Sequence, residues 1–122
     1  MFSNEHIQRL LDIANAGCSK GHVLEARTIY EGLLTLNPGL IPASIGLAFS
    51  HIVVNEFEEG ERLLREEVLA AHPDDEDAKV MLGLCQTLAG HKDSAREVLD
   101  ALVTAKGPRA DLAGLLLEQA RE

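Results

Sequence analysis

Five histidines, two cysteines and a carboxylate-rich run are the residues of this 122-residue chain that could do more than pack. Histidine offers a proton near neutral pH or a metal ligand, a thiolate offers a nucleophile, and paired carboxylates offer an acid and a base. Spacing decides whether any of these is assembled. His6, His22, His51, His72 and His91 include no pair four residues apart, and none stands in a Cys or Asp array at zinc spacing. Most fall near expected helix ends or turns and read as surface or partly packed side chains. Cys85 lies among Leu82, Leu84 and Leu88 and reads as a small buried hydrophobe. Cys18 reads as the more exposed thiol, with Lys20 its one nearby cation. In "EFEEGERLLREE", Glu58 stands four before Arg62 and Glu61 four before Arg65. That spacing suits ion pairs on a solvated helix face rather than a carboxylate site. There is no glycine-rich phosphate loop and no nucleophile–base pattern. The sequence therefore predicts no enzyme, no metal and no cofactor.

Composition narrows the partner class. The formal net charge is -9, which opposes nucleic acid and anionic membrane, because phosphate binding needs clustered Lys and Arg. It suits a neutral or basic protein partner. The longest apolar stretches, such as "AGLLLEQA", fall far short of the roughly 20 residues that span a bilayer, so no membrane insertion is expected. "MFSNEHIQRL" has no basic region leading into an apolar run. Unpaired cysteines then point to a reducing, cytoplasmic setting.

The elements that must position any site are helices, given the abundance of Ala, Leu and Glu and the scarcity of aromatics. The pattern predicts seven, at about 4–17, 22–36, 42–54, 57–71, 76–89, 92–105 and 109–121. Ser3 or Asn4 caps the first, Pro42 suits the first turn of the third, and the acids of "HPDDED" cap the fifth. Pro108 can begin the seventh. Short connections make neighbouring helices antiparallel. A repeat underlies the series. Turn residues Gly21, Asn55 and Gly90 are each followed by a small residue five places on, namely Ala26, Gly60 and Ala95. Tyr30, Leu64 and Leu99 come four places later, and Pro38, Pro73 and Pro108 close the units. The small residues lie 34 and 35 apart.

That pattern resembles the tetratricopeptide repeat, a 34-residue helix–turn–helix unit. Its signature positions fall on Leu10, Ala14, Gly21, Ala26, Tyr30 and Pro38 in the first unit. They fall on Leu47, Ala48, Asn55, Gly60 and Leu64 in the second, with Pro73 one place late. In the third they fall on Leu82, Gly83, Gly90, Ala95, Leu99 and Pro108. Ser44 and Lys79 replace a usual large apolar residue, and His51 and Gln86 replace a usual aromatic. The resemblance implies an all-α solenoid forming one domain over 1–122. Its three repeats would lie at about 4–38, 41–73 and 76–108, with a capping helix at 109–121. In the cap, Leu112, Leu115 and Leu116 are expected to face inward, and Arg109, Glu118 and Arg121 to face water.

In such an architecture the first helix of each pair lines a concave surface. The expected groove residues are Leu11, Asn15, Cys18, Ile45, Phe49, Ile52, Val53, Val80, Leu84 and Leu88. Most are large and apolar, so the face predicts a hydrophobic groove for a guest helix with apolar residues at i, i+3, i+4 and i+7. Half-burying its large apolar side chains gives on the order of 10 kcal/mol gross, compatible with a micromolar to nanomolar complex after ordering costs. Phe49 is the expected anchor. A short, acidic chain with three repeats and an apolar groove is similar to the small chaperones of bacterial type III secretion, the needle-subunit chaperone above all. This likeness implies a guest that is the amphipathic C-terminal helix of a self-polymerising needle subunit, with a second small helical chaperone as a further partner. Translocator chaperones of the same systems, and a generic scaffold joining two proteins of an assembly, are the alternative readings.

Overall fold

Ser3 opens the first helix. Its hydroxyl accepts the His6 backbone N–H at 3.3 Å, and α1 runs Asn4–Ser19. The structure, a computed structural model, describes residues 3–121, with side-chain environments as far as Glu118. Gly21 turns the chain at φ +93 into α2 (Val23–Leu36). "NPG" ends α2, and α3 (Ile41–Ile52) begins with Pro42 in its first turn, where a missing N–H costs nothing. Asn55, at φ 65, turns into α4 (Phe57–Leu63), which continues directly as a π-helical segment, Leu64–Leu69. Asp75 caps α5 (Glu76–Leu88), its carboxylate accepting the Ala78 N–H at 2.9 Å. Gly90, at φ 87, turns into α6 (Lys92–Ala105). Lys106, at φ 53, leads to α7 (Ala110–Arg121), which starts after Pro108 rather than on it. The three residues that open the sequence repeat, Gly21, Asn55 and Gly90, thus all sit in the left-handed region. There Gly is unstrained and Asn is tolerated better than other side chains.

The described residues are helical with short turns and no strand. Helices α1 and α2, α3 and α4, and α5 and α6 pack as successive hairpins, and α7 packs on α5 and α6. Small residues set the spacing. Ala14, Ala48, Ala26 and Ala95 are buried. A Cβ on Gly83 would come within 2.5 Å of Leu99, and one on Gly60 within 2.8 Å of Ile52. Gly46 lies against the ring of Tyr30 in the same way. Three apolar clusters follow the stack, built around Leu11 and Tyr30, around Ile52, Leu64 and Leu82, and around Leu99 and Leu117.

The extra residue between Gly60 and Ala95 has a local place. The backbone N–H of Ala70 bonds to Arg65 O, five residues back, at 2.9 Å. A π turn holds one more residue than an α turn, so the segment absorbs the insertion while Leu64 and Val68 stay buried. The two positions where the repeat lacks its aromatic are polar bridges. Arg27 donates to Ser50 Oγ at 3.0 Å and to Glu56 at 2.8 Å, and Glu56 also meets His51 Nδ1 at 2.9 Å. These contacts, His51 first and Arg27 second, hold the Glu56 carboxyl below its ordinary range. Gln86, with its amide oriented to satisfy both ends, donates to Ser94 O and accepts from Arg65, each at 3.2 Å.

Three local expectations need correction. Cys18 is buried, only 1% exposed, among Leu11, Ala14 and Tyr30, because the far end of α1 leans into α2. Arg62 pairs with Glu59 and Glu66, not Glu58, while the Glu61–Arg65 pair forms at 2.9 Å. In α7 the inward residues are Ala113 and Leu117, with Leu116 partly covered. Leu112 and Leu115 are exposed. An end helix packs on one side only, and the small Ala113 lets it sit close against α6. Arg109 and Glu118 are exposed as expected, and the Arg121 side chain lies outside the described residues.

Candidate functional site

The concave side of the stack holds a groove of about 720 Å³. Each of the odd-numbered helices contributes to it. Helix α1 supplies Asn15 and Ser19, and α3 supplies Ile41, Pro42, Ile45, Gly46 and Phe49. The start of α5 supplies Asp75, Asp77, Val80 and Met81, and the start of α7, with the residue before it, supplies Leu112 and Arg109. This arrangement follows from the repeat. Pro42, Asp77 and Leu112 are 35 apart, so α7 occupies the place of a further first helix.

The floor is apolar. Ile41, Ile45, Phe49 and Met81 are half-buried, Leu112 is 43% exposed, and Val80 shows only its edge. The α1 wall is polar and held in place, because Asn15 Oδ1 accepts the hydroxyl of the buried Tyr30. Burial pushes the Tyr30 phenol up to about 12, with the nearby Cys18 adding to the effect. At the opposite corner Arg109 Nε donates to Asp77 Oδ1 at 2.5 Å, and the Arg109 backbone N–H donates to Glu76 at 3.1 Å. Lys79 lies 3.8 Å from the exposed Asp74.

Of the residues expected in the groove, Asn15, Ile45, Phe49 and Val80 come together there. Leu84 is half-buried, and Val53 and Leu88 are exposed; all three lie towards the far ends of α3 and α5, outside this groove. Leu11, Cys18 and Ile52 are buried in the core and present almost no surface to a guest. Leu11 and Cys18 pack towards α2 and α3, and Ile52 packs against Gly60 of α4. The groove residues outside that expected set include Ile41, Gly46, Met81, Leu112, Asp75 and Arg109. The 35-residue step from Pro42 through Asp77 would have found Leu112. No sequence signal marks the Arg109–Asp77 contact, which joins residues far apart in the chain.

Among the described residues no group of His, Cys, Asp or Glu could hold a metal ion. Burial pushes the Cys85 thiol up to about 11, with Glu61 adding to it, and burial also raises Cys18. Neither thiol is poised as a nucleophile. No helix of the described residues is long and apolar enough to cross a membrane.

A family model for the tetratricopeptide repeat matches residues 66–119. The match runs from the π-helical segment through α5 and α6 into α7. Comparison with curated proteins and with solved structures finds no match. The all-helical stack is a tetratricopeptide-like α-solenoid, and the family match supports a tetratricopeptide-repeat protein, a class whose repeats mediate binding to protein partners.

Proposed function

We propose that the protein is a binding chaperone whose concave groove holds an amphipathic helix of a protein partner. The single observation that carries this reading is the half-exposed apolar floor of Ile41, Ile45, Phe49, Met81 and Leu112, framed by four helix ends. A helix-sized apolar stripe fits such a trough, with specificity set by its i, i+3, i+4 and i+7 side chains. The finer reading is a cytoplasmic chaperone for a secreted, self-polymerising subunit of the type III needle kind. It rests on the likeness in size, repeat number and groove character. The needle-subunit guest is preferred over a generic scaffold because the groove is apolar along its floor.

The core positions of Leu11, Cys18 and Ile52 reduce what the guest can gain. Completing the burial of five half-exposed side chains gives about 5 kcal/mol gross at roughly 1 kcal/mol each. Ordering costs are subtracted from that. Apolar contact along this floor alone therefore supports a complex weaker than micromolar, below the range expected from the sequence.

Phe49 is the test. Co-expression with a type III needle subunit should return a soluble complex, and Phe49→Asp should release the subunit to polymerise while helical content is unchanged. A carboxylate there would be desolvated against the guest's apolar face. Recovery of the same partner at the same yield with Phe49→Asp would overturn the groove as the binding site.

A further inference from the structure

The apolar floor alone is too small for a tight complex, and the corner beside it is not neutral. Asp74, Asp75, Glu76 and Asp77 stand together at the start of α5. Two cations answer them, Lys79 near Asp74 and Arg109 on Asp77. Four carboxylates against two cations leave the corner with a formal charge of -2. Asp75 and Asp77 line the groove itself, with Arg109 the one cation among its lining residues. The Asp77 side chain remains 57% exposed despite its pair, so its second oxygen can meet a guest.

We propose that the groove's occupant is a cationic amphipathic helix, one carrying a lysine or arginine beside the end of its apolar stripe, docked at the Asp75–Asp77 corner. This rests on the groove reading above. Charge selects this occupant over a second copy of the chain. Each copy carries a formal net charge of -9, so two copies repel as they approach. A basic helix is drawn towards the same field and gains a charge pair at the rim of the floor, exposed enough to be screened by salt. The polar wall of Asn15 and Ser19 on the other side sets the direction. The guest's cationic end lies over the α5 start and its uncharged end over α1.

The test uses three synthetic helical peptides with one apolar face, leucines at i, i+3, i+4 and i+7. They carry lysine, serine or glutamate at the flanking position. Binding to the full chain is measured by fluorescence anisotropy at low and high salt. The expected order is lysine over serine over glutamate, with a spread of roughly three-fold or more that shrinks in high salt. The double variant Asp75→Asn/Asp77→Asn keeps a side chain able to cap α5. Whatever its effect on binding overall, it should lower the ratio of lysine-peptide to serine-peptide affinity to about one or reverse it, and an unchanged ratio would overturn the charge proposal. Equal binding of all three peptides, abolished by Phe49→Asp, would overturn the charge proposal and leave the groove reading standing. Binding of none, or binding indifferent to Phe49→Asp, would overturn both. Concentration-dependent dimerisation that Phe49→Asp removes would put a second copy in the groove and overturn the cationic guest.

Discussion

A glycine decides whether two helices of this protein can touch. Gly83 faces Leu99 so closely that even a methyl group must displace it. Leu99 is fully buried, so it can shift only against packed neighbours. Gly83→Ala should therefore destabilise the fold by about 1–3 kcal/mol, although alanine is the better helix former. Gly32 lies in a helix with open space around its Cβ position, and Gly32→Ala should be neutral or stabilising, by up to about 1 kcal/mol. Urea unfolding of the two variants separates these cases. Equal midpoints would remove the close α5–α6 approach as the reason for glycine at position 83.

At the scale of an element, α7 shows how an end helix chooses its face. Its apolar positions cover more than one side, since Leu112, Leu115, Leu116 and Leu117 span somewhat more than half of the helix circumference. Only α5 and α6 are available to cover them. Ala113 and Leu117 take the buried stripe, and Leu115 is left 64% exposed. Leu115→Lys should change stability by no more than about 0.5 kcal/mol, whereas Leu117→Ala should cost about 2–5 kcal/mol. The opposite ranking in thermal melts would show the helix rotated to the face that the sequence pattern first suggests. The π-helical segment shows the same principle in α4. Burying Leu64 and Val68 while holding an extra residue widens one turn instead of breaking the helix.

For the whole molecule, buried titratable groups link stability to alkaline pH. The Cys85 thiol is raised from 9.0 to about 11, and the Tyr30 phenol from 10.0 to about 12, both chiefly by burial. The folded state thus holds these protons after the unfolded chain has begun to lose them. Their stabilisation is fully present below pH 9, falls as pH rises from 9 towards 12, and is gone above the folded values. Melting temperature should drop progressively across that window. Cys85→Ala should make the decline shallower between pH 9 and 11, whatever its effect on the neutral-pH baseline. A parallel decline in both proteins would mean that the thiol is not protected in the fold.

The helices, their caps and the repeat were legible in the sequence because each is decided within a few residues. Ser3, Asp75 and Pro42 act on the turn beside them, and Gly21, Asn55 and Gly90 mark backbone angles that most residues avoid. The small residues at a 34–35 spacing carried the stacking, and Asn15, Ile45, Phe49 and Val80 reached the groove from the faces of α1, α3 and α5 that the repeat assigns to it. On α3 and α5 themselves, Ile52 turns into the core against Gly60, and Val53, Leu84 and Leu88 lie towards the far helix ends, outside the groove. The terminal helices are held from one side only. Their rotation is a balance of packing across the stack, which moved Leu11 and Cys18 into the core and brought Leu112 to the groove. The acidic corner was visible as the run at 74–77, but its partner Arg109 comes from 32 residues beyond Asp77. Charge along a chain is a property of the sequence. Which charges meet at the mouth of an apolar groove depends on how the stack closes, and only the tertiary structure decides that.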